Sequence, residues 1–297
     1  MLRWARLLWD FSRPHTLVGT SLAVVILYLV AAHETGHADL GLFFTVLVAS
    51  LGVNVYVTGL NQLTDVDIDR TNKPWLPLAA GRISANDAAR VVAISVVLAL
   101  GLGAAGGGWL LATMVLVGGA GTAYSLPPLR LKRFPVPAAL LIIGSRAVVG
   151  NLGVWLTFTS ELGGQPYVAA HVVLLVVFML GFMAVIAVLK DVPDMDGDRA
   201  AEIQTFSLRV GPARVVRGSA GLVAALYVGM MAAGLWGVPG VDGTTAVVAH
   251  LGLLGALGLL YARCDATDGK SVADFYQGIW KLYYLELLVY LIACLRA

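Results

Sequence analysis

Two short stretches of this chain carry aspartates close enough together to share a cation. They read NQLTDVDIDRTNKP at residues 61–74 and KDVPDMDGDR at residues 190–199, and each follows a long apolar run. Neighbouring carboxylates raise one another's pKa unless a cation lies between them. Oxygen ligands of this kind suit Mg²⁺, which binds through carboxylates and the phosphates of a substrate. The two stretches therefore predict acidic helix ends that bind Mg²⁺ and a diphosphate.

The first stretch has the spacing of a single helical face. A helix through it aligns side chains four residues apart, namely Asn54, Thr58, Asn61, Asp65 and Asp69. Asp67 points the opposite way on the same helix. We expect the apolar segment before Asn61 to continue as a helix beyond the membrane surface and to present this polar face.

The second stretch repeats the pattern with spacings of three and four. Its aspartates are Asp191, Asp194 and Asp198, flanked by Lys190 and Arg199. These spacings again predict one helical face. Pro193 and Gly197 make this helix end less regular than the first.

The elements that position these residues are membrane spans. The chain is 59% hydrophobic and 13% charged, whereas soluble domains are about 45–50% apolar and about 25% charged. Apolar runs of about 20 residues, the length needed to cross a bilayer, recur throughout. They predict an all-α polytopic membrane protein with nine spans, at about 16–33, 41–60, 88–106, 109–125, 136–158, 168–190, 215–237, 244–262 and 277–295.

The basic residues predict an orientation. Lysines and arginines fall before the first span and in alternate loops, and the remaining loops have none. By the positive-inside rule, the N-terminus and both acidic stretches are cytoplasmic and the C-terminus is outside. The first span is expected to be retained, because no small-residue cleavage site follows it. No basic face or tail suggests a nucleic acid, and Cys264 and Cys294 are not expected to pair.

Two further positions draw attention. Arg146 lies about 9 residues inside the fifth predicted span, roughly 14 Å along the helix. An arginine at that depth should face the protein interior and have a partner. Lys281 and Glu286 pose the same question in the last span, although Lys281 can extend to the interface.

These segments resemble the UbiA superfamily of intramembrane prenyltransferases. NQLTDVDIDRTNKPWLPLAAG is similar to its first motif, Asn-x-x-x-Asp-x-x-x-Asp, and KDVPDMDGDR to its second. Many members begin with Asn-Asp, whereas this chain has Asn61-Gln62, which resembles the homogentisate prenyltransferase branch. FSRPHTLVGTSLAV (11–24), YSLPPLRLKRFP (124–135) and IWKLYYLEL (279–287) extend the resemblance over nearly the whole chain.

The resemblance implies one domain over residues 1–297, with nine helices around a central cavity under cytoplasmic loops. It implies that Asn61, Asp65 and Asp69 bind one Mg²⁺ and that Asp191, Asp194 and Asp198 bind another. The residues expected near the donor diphosphate are Arg13, Lys73, Tyr124, Ser125, Lys132 and Lys190. The implied reaction is Mg²⁺-dependent transfer of a prenyl group to an electron-rich aromatic acceptor, with homogentisate and loss of its carboxylate as the first choice.

Other roles follow from that reaction. Arg146, with Asn151, is expected to anchor the acid group of the acceptor. Aromatic faces can shield an allylic cation, and the candidates are Tyr124, Trp155, Tyr283 and Tyr284. The expected partners are the isoprenoid diphosphate, the aromatic acceptor and the lipid bilayer of a bacterial inner membrane, with no obligate protein partner.

Two alternatives stay open. One is a superfamily member with another acceptor, such as a 4-hydroxybenzoate-like compound, another phenol or a tetrapyrrole. The other is a transporter. Transporters tend to bind near the membrane midplane on broken helices, whereas these acids lie at one end. Substrate-dependent release of diphosphate separates the enzyme from the transporter.

Overall fold

Every regular element in the part of the chain that the structure describes is a helix. The computed structural model describes residues 2–190, 192 and 210–297. In chain order the helices are α1 Leu2–Phe11, α2 Pro14–Thr35, α3 Leu40–Thr64, α4 Val66–Asn72, α5 Ala85–Ala105, α6 Gly108–Ser125, α7 Pro135–Ile143, α8 Asn151–Gly163, α9 Ala170–Leu189, α10 Pro212–Leu235, α11 Gly243–Ala262 and α12 Gly269–Leu295. A 3₁₀ turn, Leu131–Arg133, precedes α7, and a π turn, Gly144–Gly150, joins α7 to α8. The predicted all-α class is confirmed.

Eight helical segments in the described ranges are long and apolar enough to cross a membrane, one fewer than the nine predicted. The predicted span 109–125 forms α6, but glycines and hydroxyl groups lower its hydropathy and it is not among the eight. Helix α6 nevertheless lies along α3. A side chain at Gly106, just before α6, would approach Thr45 Cγ2 at 3.2 Å, and Thr122 near its end is 2.7 Å from the Tyr56 hydroxyl.

Loop side chains fix the starts of several helices. Asp39, Ser84, Asp242 and Asp268 each accept a hydrogen bond from a backbone N–H in the first turn of α3, α5, α11 and α12. Such caps satisfy donors that have no partner within the helix. The spans are therefore delimited by short polar residues in the loops.

The contacts of the chain separate into two compact units, Met1–Tyr167 and Val168–Ala297. In the first, α3 packs against α2, α5 and α6. Phe11, at the end of α1, is fully buried in a cluster with Leu60, Leu78, Ile83, Ala88 and Val92. A Cβ at Gly59 would lie 2.8 Å from the Phe11 ring, so only glycine admits the end of α1 against α3.

The second half of this unit is built around α8. A Cβ on Gly153 of α8 would lie within bonding distance of the Thr113 side chain of α6. This close approach fixes the rotation of α8 against α6. The π turn then connects α8 to α7, and all three elements together form the segment Val136–Gly163, which is one of the eight candidate spans.

In the second unit, α10 packs against α9 and α11, and α12 packs against α9 and α11. His250 of α11 and Glu286 of α12 are 1% and 0% exposed, with 2.9 Å between Nε2 and Oε2. The two atoms are at ion-pair distance without hydrogen-bond alignment. This pair gives Glu286 the partner that its depth requires, whereas Lys281 is exposed.

Candidate functional site

The first acidic motif lies at a break between two helices. A single helix through Asp69 was predicted, and this is wrong, because α3 ends at Thr64 and α4 begins at Val66. At the break the backbone N–H of Asp65 donates to the Gln62 carbonyl, three residues back, at 3.3 Å. The Asp65 carbonyl still accepts from the Asp69 N–H at 2.7 Å, so one turn of contact survives between the two aspartates.

Asp65 lies at the centre of a charged cluster. Its Oδ1 accepts from Lys132 Nζ at 2.6 Å, and its Oδ2 accepts from Asn61 Nδ2 at 2.9 Å. The guanidinium of Arg130 lies 3.6 Å from the same Oδ1. Lys132 also donates to the Thr64 hydroxyl at 2.7 Å. The loop after α6 thus brings two cations onto the carboxylate that ends α3.

Asp69 is buried, with 8% of its surface exposed. Burial raises the pKa of its carboxyl, and the Asp65 charge adds to this effect, while Arg13, Lys73 and Lys132 oppose it. A carboxylate with a raised pKa gains from a nearby cation, because the cation restores the charged form. Asp67, in contrast, is 93% exposed at its side chain and pairs with Arg70 at 2.9 Å. The prediction that Asp67 points away from the other two aspartates agrees with this exposed position.

Two arginines reach the motif from strained backbone positions. Among the described residues, Arg13 and Arg130 are the two non-glycine residues with positive φ, at 55° and 36°. Arg13 donates to Asn61 Oδ1 at 3.4 Å, and Arg130 donates to the Thr64 carbonyl at 3.4 Å. Backbone strain of this kind costs about 1–3 kcal/mol and clusters at functional sites.

The lower part of the predicted polar face is structural. Asn54 Oδ1 accepts from the Thr16 hydroxyl at 2.9 Å, and its Nδ2 donates to Thr20 Oγ1 at 3.0 Å. Thr58 donates to the carbonyl of Asn54 within α3. These residues therefore join α2 to α3 below the motif.

Gln62, where many superfamily members have aspartate, faces away from the charged cluster. It is buried, and its Nε2 donates to the Phe11 carbonyl at 2.6 Å. The amide thus attaches the end of α1 to the motif. A carboxylate at this position could not make the same donation.

The remaining predicted residues of the first unit are spread over several elements. Lys73 ends α4, and Tyr124 is half-buried in the last turn of α6. The Ser125 hydroxyl is fully buried and has no hydrogen-bond partner among the described residues. Trp155 is fully buried, and its indole N–H donates to the Tyr167 carbonyl at 2.8 Å, which leaves its ring no exposed face for a substrate cation.

Arg146 lies within the π turn. It is partly exposed, and it lies 11 residues beyond the start of α7 at Pro135, or about 17 Å along the helix. Asn151 is 4% exposed, and its amide donates to the carbonyls of Arg146 and Ala147, at 3.0 Å each. Arg13 and Arg146 both lie within electrostatic range of His15.

The aspartates of the second motif, Asp191, Asp194 and Asp198, lie outside the described residues, and so does Arg199. Lys190 caps the end of α9. In the second unit, the ring of Tyr283 packs near those of Phe182 and Tyr284. Among residues 2–190, 192 and 210–297, no three His, Cys, Asp or Glu side chains converge as a metal cluster.

Sequence reasoning missed the contacts of Arg130 and Thr64 with the motif. It expected Lys132 of the loop 126–134 near the donor diphosphate, although membrane topology alone could account for the charge of this loop. The left-handed backbone of Arg130 cannot be read from the residue type, because arginine seldom adopts it. Thr64, between Asn61 and Asp65, carried no spacing signal of its own.

Comparison with known proteins gives a consistent result. The model of the UbiA prenyltransferase family matches residues 21–284. A homogentisate phytyltransferase of Synechocystis is 43% identical over 96% of this chain and 94% of its own. Homogentisate phytyltransferase 1 of Arabidopsis thaliana is 35% identical over 95% of this chain and 73% of its own.

A solved UbiA homologue from Archaeoglobus fulgidus, bound to GPP and Mg²⁺, shares the fold. It has a TM-score of 0.62 at 18% identity and covers 98% of this chain and 100% of its own. The predicted resemblance to the homogentisate prenyltransferase branch is confirmed.

Proposed function

The chain belongs to the UbiA prenyltransferase family, and we propose that it transfers a prenyl group from an isoprenoid diphosphate to homogentisate within the membrane. The C–O bond between the allylic carbon and diphosphate breaks, and its electron pair leaves with diphosphate. A C–C bond forms to the aromatic ring, and the ring carbon releases its proton. The acceptor carboxylate leaves as CO₂, and the carbon that carried it takes up a proton.

The observation that carries this proposal is the charged cluster at Asp65. It places the Asp65 carboxylate beside two cations, Lys132 and Arg130. The amide oxygen of the neighbouring Asn61 accepts from a third cation, Arg13. Such a mixture is suited to a diphosphate, whose charge needs cations, and to a metal ion, which needs oxygen ligands. The cluster lies just beyond the end of a helix apolar enough to span the membrane.

The residues of the first motif fit Mg²⁺. Asn61, Asp65 and Asp69 offer oxygen atoms as ligands. Burial raises the pKa of Asp69, and a bound cation would lower that pKa again. We propose that these three hold one ion and that Asp191, Asp194 and Asp198 hold another. When bound, Mg²⁺ supplies positive charge to the departing diphosphate.

The chain's own residues perform the other tasks. Lys132, Arg130, Arg13, Lys73 and Lys190 are proposed to bind diphosphate oxygens, with Tyr124 at the edge of the site. Ser125 remains a predicted member of this group, although its hydroxyl is buried in the structure. Arg146 is proposed to bind the acceptor carboxylate, with Tyr283 and Tyr284 as aromatic faces for the allylic cation. Reaction within the membrane keeps water away from that cation, which water would otherwise capture.

We further propose a single functional domain over residues 1–297 in a bacterial inner membrane, with the N-terminus cytoplasmic and the C-terminus outside. The distribution of lysine and arginine among the loops supports this orientation. Reporter fusions at each terminus, active on only one side of the membrane, test it.

The central experiment uses membranes that carry the protein, homogentisate, Mg²⁺ and a panel of prenyl diphosphates. We expect a prenylated, decarboxylated product by mass spectrometry and an equal amount of released diphosphate. Asp65→Asn should abolish both, whereas Asp67→Asn, which alters an exposed carboxylate, should retain them. Product only with other phenols would contradict the acceptor, and no prenylated product with any acceptor would contradict the enzyme.

A further inference from the structure

The π turn Gly144–Gly150 changes the direction of the side chains that precede it. A π turn contains one residue more than an α turn. Each residue of an α-helix turns by about 100°, because 3.6 residues complete a turn. Side chains before the extra residue are therefore rotated by about 100° relative to the positions that an uninterrupted helix would give them. Arg146 lies within this turn.

The rotation cannot be absorbed by α8. The backbone of α8 at Gly153 lies directly against Thr113, whose own hydroxyl donates to the Trp109 carbonyl at 2.7 Å. No side chain fits between these helices, so α8 has a fixed rotation against α6. The extra residue therefore rotates α7 and the Arg146 side chain relative to α8.

Asn151 stabilises the turn at its end. Its backbone N–H donates to the Val148 carbonyl, and its side-chain amide donates to the carbonyls of Arg146 and Ala147, five and four residues back. The side chain is 4% exposed, so both amide protons are committed to the backbone inside the protein. One of the two carbonyls it holds belongs to Arg146 itself.

We propose that Asn151 is a positioning residue whose amide maintains the π turn and thereby directs Arg146 at the carboxylate of the acceptor. The acceptor part of this inference rests on the proposed function. The role differs from direct acceptor binding, because the amide protons of Asn151 already donate to the backbone. The resulting property is selectivity for acceptors that carry an acid group.

The surrounding charge agrees with an anionic ligand. His15 lies within electrostatic range of both Arg13 and Arg146, so two guanidinium groups lie near one imidazole. A carboxylate on the acceptor would offset the positive charge of the two arginines. A neutral hydroquinone would not.

The first test compares two acceptors, homogentisate and methylhydroquinone, which lacks the carboxylate. Asn151→Leu keeps the approximate shape and removes both donors. We expect the ratio of kcat/KM for homogentisate to that for methylhydroquinone to fall tenfold or more, through the KM of homogentisate, while the KM of the donor stays within twofold. Asn151→Ser, whose hydroxyl can donate to the carbonyl four residues back, should lose less of the ratio. Equal losses with both acceptors would overturn the proposal.

The second test needs no activity and separates this inference from the proposed function. Arg146→Cys is placed in a chain without its native thiols (Cys264→Ser, Cys294→Ala), and its reaction with a charged, water-soluble thiol reagent is timed. Adding Asn151→Leu should change that rate fivefold or more, because the side chain rotates. Leu156→Cys, on α8 beyond the turn, should be unaffected by Asn151→Leu. A smaller change at position 146 overturns the π-turn role, whatever the acceptor proves to be.

Discussion

Lys132 Nζ lies 2.6 Å from Asp65 Oδ1, across 67 residues of sequence. Asp65 belongs to the proposed metal ligands and Lys132 to the proposed diphosphate-binding residues. In this arrangement each stabilises the charge of the other. A metal ion at Asp65 would compete with the lysine for the same oxygen.

This competition predicts opposite effects of one substitution. Lys132→Met should lower the Mg²⁺ concentration needed for half-maximal rate, because Asp65 loses its internal cation. The same change should raise the KM of the prenyl diphosphate about tenfold or more, because a charge-assisted contact to a phosphate is lost. Titrations of Mg²⁺ and donor in membranes measure both. Arg133→Met, in the same turn but exposed, should change neither, and parallel shifts in both quantities would refute the competition.

The pair of His250 and Glu286 predicts a large effect on stability. His250→Ala leaves the fully buried Glu286 carboxylate without this partner, and breaking a buried pair in this way costs about 3–5 kcal/mol. We expect a marked fall in the thermal unfolding temperature of the purified protein in detergent. His250→Phe combined with Glu286→Leu removes both charges and should recover most of that loss. If the single variant unfolds at the wild-type temperature, the pair does not stabilise the fold.

Gly153 predicts a second stability effect. Gly153→Ala places a methyl group where Thr113 already lies, and overpacking of this kind costs about 1–3 kcal/mol. Gly119→Ala, on α6 with open space around its Cα, is the matched control and should be neutral or slightly stabilising. Unfolding of both variants in detergent gives the comparison. Equal stability of the two would show that α6 and α8 separate easily.

Cys264 provides a prediction on pH. Burial raises the pKa of its thiol, and the nearby Asp265 carboxylate raises it further, while a hydrogen bond with Ser271 opposes the change. The reactive thiolate therefore forms at higher pH than in a free cysteine. The alkylation rate against pH, in a Cys294→Ala background, should have its midpoint above that of glutathione. Asp265→Asn should move the midpoint down, and a midpoint at or below that of glutathione would contradict the burial effect.

Sequence spacing was sufficient for some features of the site. The outward direction of Asp67 and the contact of Asn61 with Asp65 follow from helical periodicity, and the spans follow from apolar length. The break at Asp65 does not follow from spacing, and neither does the contact of its carboxylate with a lysine 67 residues away. The π turn depends on an asparagine side chain donating to backbone carbonyls, an arrangement that the residue types do not specify. The sequence links Gln62 to the homogentisate prenyltransferase branch. Its hydrogen bond to the Phe11 carbonyl depends on how α1 packs, which the residue type does not reveal.

Arg13 and Arg130 set a limit on directed evolution of this protein. At both positions a glycine would relieve the backbone, so selection for heat resistance alone should enrich Arg13→Gly and Arg130→Gly. The same changes remove the guanidinium groups from Asn61, Thr64 and Asp65. A screen for robustness would therefore drift towards well-folded, inactive chains. Engineering for thermal stability in a biocatalyst should leave Arg13 and Arg130 unchanged.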